Sequence, residues 1–388
     1  MIRQNFNADW TVEKGDGNSR MNSFLGNTQT KTVHLPYDAM IHEARTPDTK
    51  NGAQTGFYPG GEYIFQKHFT APQAWQGKPV SLVFEGVYQT ALVYLNGWLL
   101  TRNVNGYAEF TVEAGPYLKY GADNLLKVIA DNSLEPNCRW YTGSGIYRPV
   151  RLLVGNKVYL PQDTVRITTR EADEGFALLD VTAQVQSAST VTERVTLQQT
   201  ICREGTAVLT DRQNLLLQPG ESRTVSFRYC VDSPALWSPE NPNLYTSTMQ
   251  VLEGEEELDR EETGFGIRTL SIDAAHGVRI NGQTVKLRGA CIHHDNGILG
   301  AATLPDAEER RIRQLKEAGF NAIRSSHHPA GRALLDACDR YGVLVMDELS
   351  DVWNVRKNPY DYALYFEQDW KPTIQKMVAK DYNHPSVI

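Results

Sequence analysis

The sequence has few cysteines, and they are scattered. Five occur in 388 residues, and no two form a C-x-x-C pair. An odd number without pairing indicates reduced, structural thiols. Cys202 and Cys230 fall in the same predicted β-rich segment, so a bridge between them in an oxidising compartment is the alternative.

The sequence also lacks basic clusters and long apolar runs. Its net charge is −7 and its pI is about 5.8, with 41% hydrophobic and 22% charged residues. This balance argues against a nucleic-acid or anionic-membrane partner and favours a neutral or small polar ligand. No apolar run approaches the length that spans a bilayer. The first ten residues lack the apolar stretch of a secretory signal, so a cytoplasmic location is expected.

Two β-rich segments come first in the chain. Residues 1–155 contain short alternating runs broken by Gly, Pro, Asn and Asp, which predict a jelly-roll β-sandwich. Within them the pair Asn96-Gly97 predicts a tight turn. Residues 156–269 continue the alternation without helix signals, and their length is typical of an immunoglobulin-like β-sandwich.

The last segment, 270–388, alternates apolar runs with helical patterns. Helices are predicted from Pro305 to just before Gly319 and again up to Gly342, with a third at 372–379. This alternation predicts a parallel α/β unit, in which the carboxyl ends of the strands lie side by side at one rim. The three apolar runs and the polar groups that follow them are 285–292 with His293, His294 and Asp295, 320–323 with Arg324 to His328, and 343–346 with Asp347, Glu348 and Asp351.

A fourth strand is predicted to begin at Val387, one residue before the sequence stops. Three strand-helix units and the start of another strand cannot close a barrel, and an open parallel sheet would leave an unpaired edge. We therefore expect the sequence to be a piece of a longer protein.

Short motifs occur in a fixed order along the whole chain. They are VHLPYD at 33–38, FEGV at 84–87, VYLNG at 93–97, RWY at 139–141, GSGIYR at 143–148, LWSPENPNLY at 236–245, FGIR at 265–268, LRG at 287–289, NAIR at 321–324, SHHP at 326–329 and NHPSVI at 383–388. Taken together, their order and spacing resemble the amino-terminal half of glycoside hydrolase family 2, the β-galactosidase and β-glucuronidase group.

The resemblance implies a multidomain β plus α/β architecture: a jelly-roll β-sandwich over 1–155, an immunoglobulin-like β-sandwich over 156–269, and an incomplete (β/α)8 TIM barrel over 270–388. It also implies a retaining exo-β-glycosidase, with β-galactosidase as the leading activity. β-Glucuronidase is the nearest alternative, and a non-hydrolytic carbohydrate-binding module is the rival from another class. A homo-oligomer is expected for the full-length protein.

The resemblance places both catalytic glutamates on strands that follow the NHPSVI motif. The acid/base and the nucleophile are therefore expected beyond Ile388, and the chain alone is expected to be inactive. No cofactor is required by this mechanism. A bound Mg²⁺ or Na⁺ near the sugar is left open, with Asp351 as the position to watch, and no H-x-H or H-E-x-x-H spacing indicates a catalytic transition metal.

From the residues alone, Asp347, Glu348 and Asp351 are the nearest carboxylates for acid/base work. A retaining glycosidase needs two carboxyl groups about 5 to 5.5 Å apart. Adjacent residues on a strand point to opposite faces, so Asp347 and Glu348 cannot flank one bond. Polar support at the rim is the role predicted for them.

Matching positions in the family motifs assign sugar-hydroxyl recognition or transition-state stabilisation to His293 and His327. Arg324 is expected to orient the nucleophile or keep it ionised. An imidazole suits a hydroxyl because one nitrogen donates while the other accepts. The alternative is that these groups only cap strand ends in water, but two clusters at consecutive strand ends favour function.

The remaining candidates are weaker. Asp295 shares strand parity with His293, whereas His294 and His328 are predicted to face the other side. The other expected substrate contacts are Asp351, Trp353 and Arg139, the last in a loop that in relatives reaches the barrel mouth. For the aromatic residues Trp98, Trp140 and Tyr141, core or interdomain packing is favoured over stacking on a sugar.

Overall fold

The computed structural model describes residues 1–15 and 30–388. Residues 2–154 form two antiparallel sheets of order β3-β2-β4-β9-β6-β7 and β1-β10-β5-β8, whose facing side chains share one apolar core. The strands are β1 Ile2–Asn5, β2 Trp10–Gly15, β3 Lys31–Val33, β4 Gly61–Thr70, β5 Val80–Phe84, β6 Thr90–Leu95, β7 Trp98–Asn103, β8 Phe110–Glu113, β9 Asp123–Asn132 and β10 Val150–Val154.

Alternation along each strand decides which side chains enter this core. In β9, Leu126, Val128 and Ala130 are buried, and the residues between them are more exposed. The predicted turn is confirmed: Asn96 and Gly97 have positive φ values of 53° and 90° and connect β6 to β7. Such φ values are what a tight hairpin turn requires.

A second sandwich follows, again with a single apolar core. Its strand β13 pairs with β11 and β12 and with β16, and the facing sheet has the order β15-β14-β17-β18. The strands are β11 Val158–Tyr159, β12 Arg166–Ala172, β13 Phe176–Ser187, β14 Glu193–Arg203, β15 Thr206–Leu217, β16 Ser222–Asp232, β17 Tyr245–Glu253 and β18 Glu256–Phe265. Cys202 in β14 and Cys230 in β16 lie in different sheets, and both are free thiols, so no bridge joins them.

The third part begins with a small antiparallel sheet that the sequence patterns did not predict. It consists of β19 Leu270–Asp273, β20 Gly277–Ile280 and β21 Gln283–Thr284. The parallel strands are β22 Gly289–Ile292, β23 Ala322–Ser325 and β24 Leu344–Met346, and the helices are α1 Pro305–Glu317, α2 Arg332–Tyr341 and α3 Phe366–Asp381. The apolar run predicted at 285–292 is therefore strand only in its second half.

The predicted helix ends are mostly confirmed. Pro305 is the first residue of α1, and Gly342 caps α2 in the left-handed conformation. The predicted start of the third helix at Pro372 was wrong, because α3 begins at Phe366 and contains this proline. Val387 forms a parallel bridge with Val345 of β24, as expected for the start of a fourth strand.

Polar contacts fix the barrel segment against both sandwiches. Trp237, in the LWSPENPNLY motif, donates from Nε1 to the carbonyl of Asp339 in α2 at 2.9 Å. Arg332 at the start of α2 pairs with Glu109 of the first sandwich at 2.8 Å and with Asp163 next to the second at 2.7 Å. These contacts set the position of the strand ends relative to the loops of the first sandwich.

Replacing Gly342 by alanine is expected to cost about 3 kcal/mol of stability. Its φ of +66° adds strain of about 1 kcal/mol for an L side chain. A Cβ would also overlap the carbonyl oxygen of Pro239, which adds about 2 kcal/mol. Gly319→Ala is the matched control, because Gly319 follows α1 with φ +89° and no atom within 4 Å of its Cβ position. Urea denaturation that gives equal losses for the two variants would contradict this account.

Candidate active site

The carboxyl ends of the three parallel strands form one rim. The register pairs Cys291 with Arg324 and Arg324 with Met346, so these side chains stand in a row on one face of the sheet. Beyond the strand ends the chain continues into His293, His327 and Glu348, respectively. A parallel sheet thus gathers groups that are far apart in the sequence.

An open cleft of about 810 Å³ lies above this rim. Five of the predicted contacts line it: Arg139, Arg324, His327, Asp351 and Trp353. The cleft is also lined by Lys357, Phe366, Glu367 and Trp370, which the sequence patterns did not predict as contacts. The aromatic residues among them were visible in the sequence, but only the chain path after β24 brings them to the cleft.

Glu348 joins the two main groups of the cleft. One carboxylate oxygen accepts a hydrogen bond from Nε of Arg324, and the other pairs with Nδ1 of His327 at 2.8 Å. The hydrogen bond to Glu348 raises the pKa of Arg324 above its ordinary value. The predicted support role of Glu348 thus corresponds to direct contacts with two candidate ligands.

Trp140 of the first sandwich contacts both candidate imidazoles. Its ring stacks on His293 at 5.0 Å and meets His327 edge to face at 5.6 Å. Trp140 also donates from Nε1 to the hydroxyl of Tyr107 at 3.1 Å. The expectation of interdomain packing is right for Trp140, whose ring packs on both histidines. Of these two predicted contacts, His327 lines the cleft and His293 does not.

Arg139 reaches the barrel mouth, as the resemblance implied. Its guanidinium donates to both carboxylate oxygens of Asp351, at 3.2 and 2.6 Å, and Lys357 donates to Asp351 at 2.8 Å. Burial acts to raise the pKa of Asp351, but these hydrogen bonds outweigh it and keep the pKa below the ordinary value. A metal at Asp351 would compete with two cations, so the residues around it do not fit a metal site.

His294 and His328 lie behind the rim, beyond the ends of β22 and β23, and do not line the cleft. His328 stacks on Tyr107 at 4.1 Å, and Nε2 of His294 pairs with the carbonyl of Thr142 at 2.9 Å. Both rings are buried, which lowers the pKa of His294 to about 3 and that of His328 well below its usual range. They are neutral packing groups between the first sandwich and the barrel segment.

Two acidic candidates lie away from the cleft. Asp347 is mostly buried and accepts from the amide of Ala330 at 2.8 Å. Burial, followed by the charge of Asp381, raises the pKa of Asp347 to about 7. Asp295 was predicted to face the same side as His293, but β22 ends at Ile292, so strand alternation does not extend to either residue. Asp295 does not line the cleft.

The other aromatic candidates have separate surroundings. Trp98 is 65% exposed on β7 of the first sandwich and contacts Tyr117. Tyr141 donates to the buried carboxylate of Asp38 at 2.6 Å. Neither residue lines the cleft.

Comparison with known proteins agrees with this architecture. Three family models match consecutive parts of the chain: "Glycosyl hydrolase 2 galactose-binding domain-like" at 10–174, "Glycosyl hydrolases family 2" at 158–268 and "Glycosyl hydrolases family 2, TIM barrel domain" at 274–388. The fold is thus that of glycosyl hydrolases. The chain belongs to glycosyl hydrolase family 2.

Several relatives match nearly the whole chain. It is 37% identical over 386 residues to β-galactosidase BoGH2A of Bacteroides ovatus, covering 99% of this chain and 45% of the relative. It is 26% identical over 384 residues to a β-glucuronidase of Bacteroides fragilis, covering 92% and 52%. The chain therefore spans about half the length of the curated relatives it matches.

Solved structures show the same arrangement. A family 2 member from Bacteroides cellulosilyticus superposes with a TM-score of 0.95 at 37% identity, covering all of this chain and 51% of that one. Bacteroides uniformis β-glucuronidase superposes with a TM-score of 0.86 at 27% identity, covering all of this chain and 46% of that one. The fold prediction of a jelly-roll sandwich, an immunoglobulin-like sandwich and an incomplete barrel is confirmed.

Proposed function

We propose that the full-length protein is a retaining exo-β-glycosidase that removes terminal β-D-galactose. In this proposal the present chain supplies the two sandwiches and the first part of the barrel. It contributes the sugar-recognition side of the active site, and segments beyond residue 388 contribute the two catalytic glutamates. The chain alone does not hydrolyse glycosides.

The observation that supports this proposal is the arrangement of His327, Arg324 and Glu348 at the rim of the cleft. All three line the cleft, and Glu348 connects the other two. An imidazole and a guanidinium provide the donors and acceptors that sugar hydroxyls and a carboxylate nucleophile require. The exposed indole of Trp353 adds a flat apolar surface at the same cleft, as sugar-binding sites use.

Charge in the cleft favours a neutral sugar. Its three cations, Arg139, Arg324 and Lys357, are matched by Asp351, Glu348 and Glu367. Within the described residues, Arg139 and Lys357 pair with Asp351, and Arg324 pairs with Glu348. A glucuronide would need an uncompensated cation for its carboxylate. β-Glucuronidase remains the second candidate, because several relatives carry that name.

The test is hydrolysis of nitrophenyl β-D-glycosides by two proteins, this chain and the chain extended to the full gene. We expect the extended protein to release nitrophenol from the galactoside with a higher kcat/KM than from the glucuronide. The 388-residue chain should release none. Turnover by the short chain would contradict the proposed division of the active site, and preference for the glucuronide would overturn the choice of sugar.

A further inference from the structure

Glu348 touches two groups of the cleft at once, and its side chain is only 15% exposed. Oε1 accepts from Nε of Arg324, and Oε2 is 2.8 Å from Nδ1 of His327. The contact with Arg324 runs from β23 to the residues after β24, so it also joins two neighbouring strand ends.

The chemistry of the partners determines where the proton of His327 resides. A guanidinium only donates, and an ionised carboxylate only accepts. With Arg324 bound to one oxygen and Nδ1 of His327 to the other, the imidazole has to donate from Nδ1. In the neutral ring, Nε2 is then the nitrogen with the free lone pair.

We infer that Glu348 is a positioning residue: it holds His327 in the tautomer with a proton on Nδ1 and orients the guanidinium of Arg324. His327 lines the cleft, and its Nδ1 is engaged by Glu348, so Nε2 is the nitrogen available to a ligand. His327 therefore accepts a hydrogen bond from a substrate hydroxyl. This assignment of the substrate contact rests on the proposed glycosidase function, whereas the tautomer itself does not.

The neighbouring imidazole is held in the same way. Nδ1 of His293 lies 2.8 Å from the carbonyl oxygen of Ser326, which can only accept. His293 therefore also donates from Nδ1 in its neutral form. Two histidines 6.1 Å apart thus leave Nε2 free as an acceptor, one fixed by the backbone and the other by the Glu348 side chain. The His327 tautomer is the one that a side-chain substitution can change.

Glu348→Gln should invert the His327 tautomer with little change in shape. The glutamine side chain has one acceptor oxygen, which faces Arg324 because a guanidinium can only donate. The amide nitrogen then faces Nδ1 of His327 and donates to it, which moves the imidazole proton to Nε2. Glu348→Asp keeps an acceptor-only group and should retain the original tautomer.

The measurement is two-dimensional ¹⁵N NMR of the 388-residue chain labelled in histidine, at a pH of about 8, where an ordinary imidazole is neutral. His327→Gln identifies the signal. We expect a protonated Nδ1 for His327 in the parent chain and in Glu348→Asp, and a protonated Nε2 in Glu348→Gln. Glu367→Gln is the matched control, because it removes a carboxylate from the same cleft and should leave the tautomer unchanged.

A parent chain with the proton on Nε2, or a Glu348→Gln variant with an unchanged tautomer, would overturn the inference whatever the enzyme hydrolyses. In the extended protein, Glu348→Gln should lower kcat/KM by on the order of 10²-fold, the cost of a lost hydrogen bond to the transition state, with partial rescue in Glu348→Asp. Inverted tautomers with unchanged turnover would contradict the assigned substrate contact and leave the glycosidase proposal intact.

Discussion

Arg332→Met is expected to destabilise the protein by about 3 to 5 kcal/mol, the usual cost of removing one partner from a buried ion pair, since the Arg332 and Glu109 side chains are only 22% and 10% exposed. Both nitrogens of the Arg332 fork donate to Glu109 at 2.8 Å, and one also donates to Asp163 at 2.7 Å. Methionine retains much of the side-chain volume, so the loss is that of the charge and the hydrogen bonds. Urea denaturation followed by circular dichroism measures it.

The matched control is Arg340→Met on the same helix. Arg340 pairs with Glu309 at 3.0 Å, but both side chains are well exposed, so this pair should contribute less than about 1 kcal/mol. Equal losses for the two arginines would show that burial of the Glu109 pair does not matter.

The pH dependence of stability provides a second measure of the Arg332–Glu109 pair. Burial acts to raise the pKa of Glu109, but the Arg332 bonds outweigh it and hold the pKa at about 2, below the ordinary 4.5. The pair therefore contributes its full stability above a pH of about 4.5 and loses it as the pH falls towards 2. Without Arg332, burial raises the pKa of Glu109 with less opposition. The difference in unfolding free energy between the parent and Arg332→Met should therefore be largest at neutral pH and smaller in acid.

Asp38→Ala is expected to cost about 4 kcal/mol, because it leaves several buried donors without an acceptor. The Asp38 carboxylate is buried and accepts from the amides of Met40, Ser144 and Ala301 at 3.0, 3.0 and 2.8 Å. It also accepts from the hydroxyl of Tyr141. One carboxylate thus joins two loops of the first sandwich to the barrel segment, and thermal denaturation should report its loss as a lower Tm.

Asp48→Ala removes an exposed carboxylate from the same loop region and should change stability by less than about 0.5 kcal/mol. In the extended protein, Asp38→Ala should also reduce activity at temperatures below unfolding. Asp38 holds Tyr141, and Tyr141 directly follows Trp140, which packs on His293. Full activity in a destabilised Asp38→Ala variant would show that the loop with Trp140 and Tyr141 does not influence the cleft.

Local patterns predicted the elements well where local chemistry controls them. Gly342 ends α2 because glycine adopts the left-handed conformation at low cost, and the Asn96-Gly97 pair turns the chain because both residues accept positive φ values. Alternation of apolar residues predicted the two sandwiches because a strand buries every second side chain. The third helix was predicted to start at Pro372 because proline favours the first helical position, but α3 begins at Phe366 and includes Pro372.

The site was predictable only in part. Parallel strands bring their carboxyl ends to one edge, so the sequence pattern was enough to predict that the groups after β22, β23 and β24 would meet at one rim. It did not determine which oxygen of Glu348 would bind Arg324 and which His327, that Trp140 would stack on His293, or that Arg139 would pair with Asp351 across 212 positions. The Trp140 and Arg139 contacts depend on the docking of the first sandwich against the barrel segment, and the Glu348 contacts depend on how the residues after β23 and β24 pack on each other. Long-range packing decides both, and no local pattern encodes it.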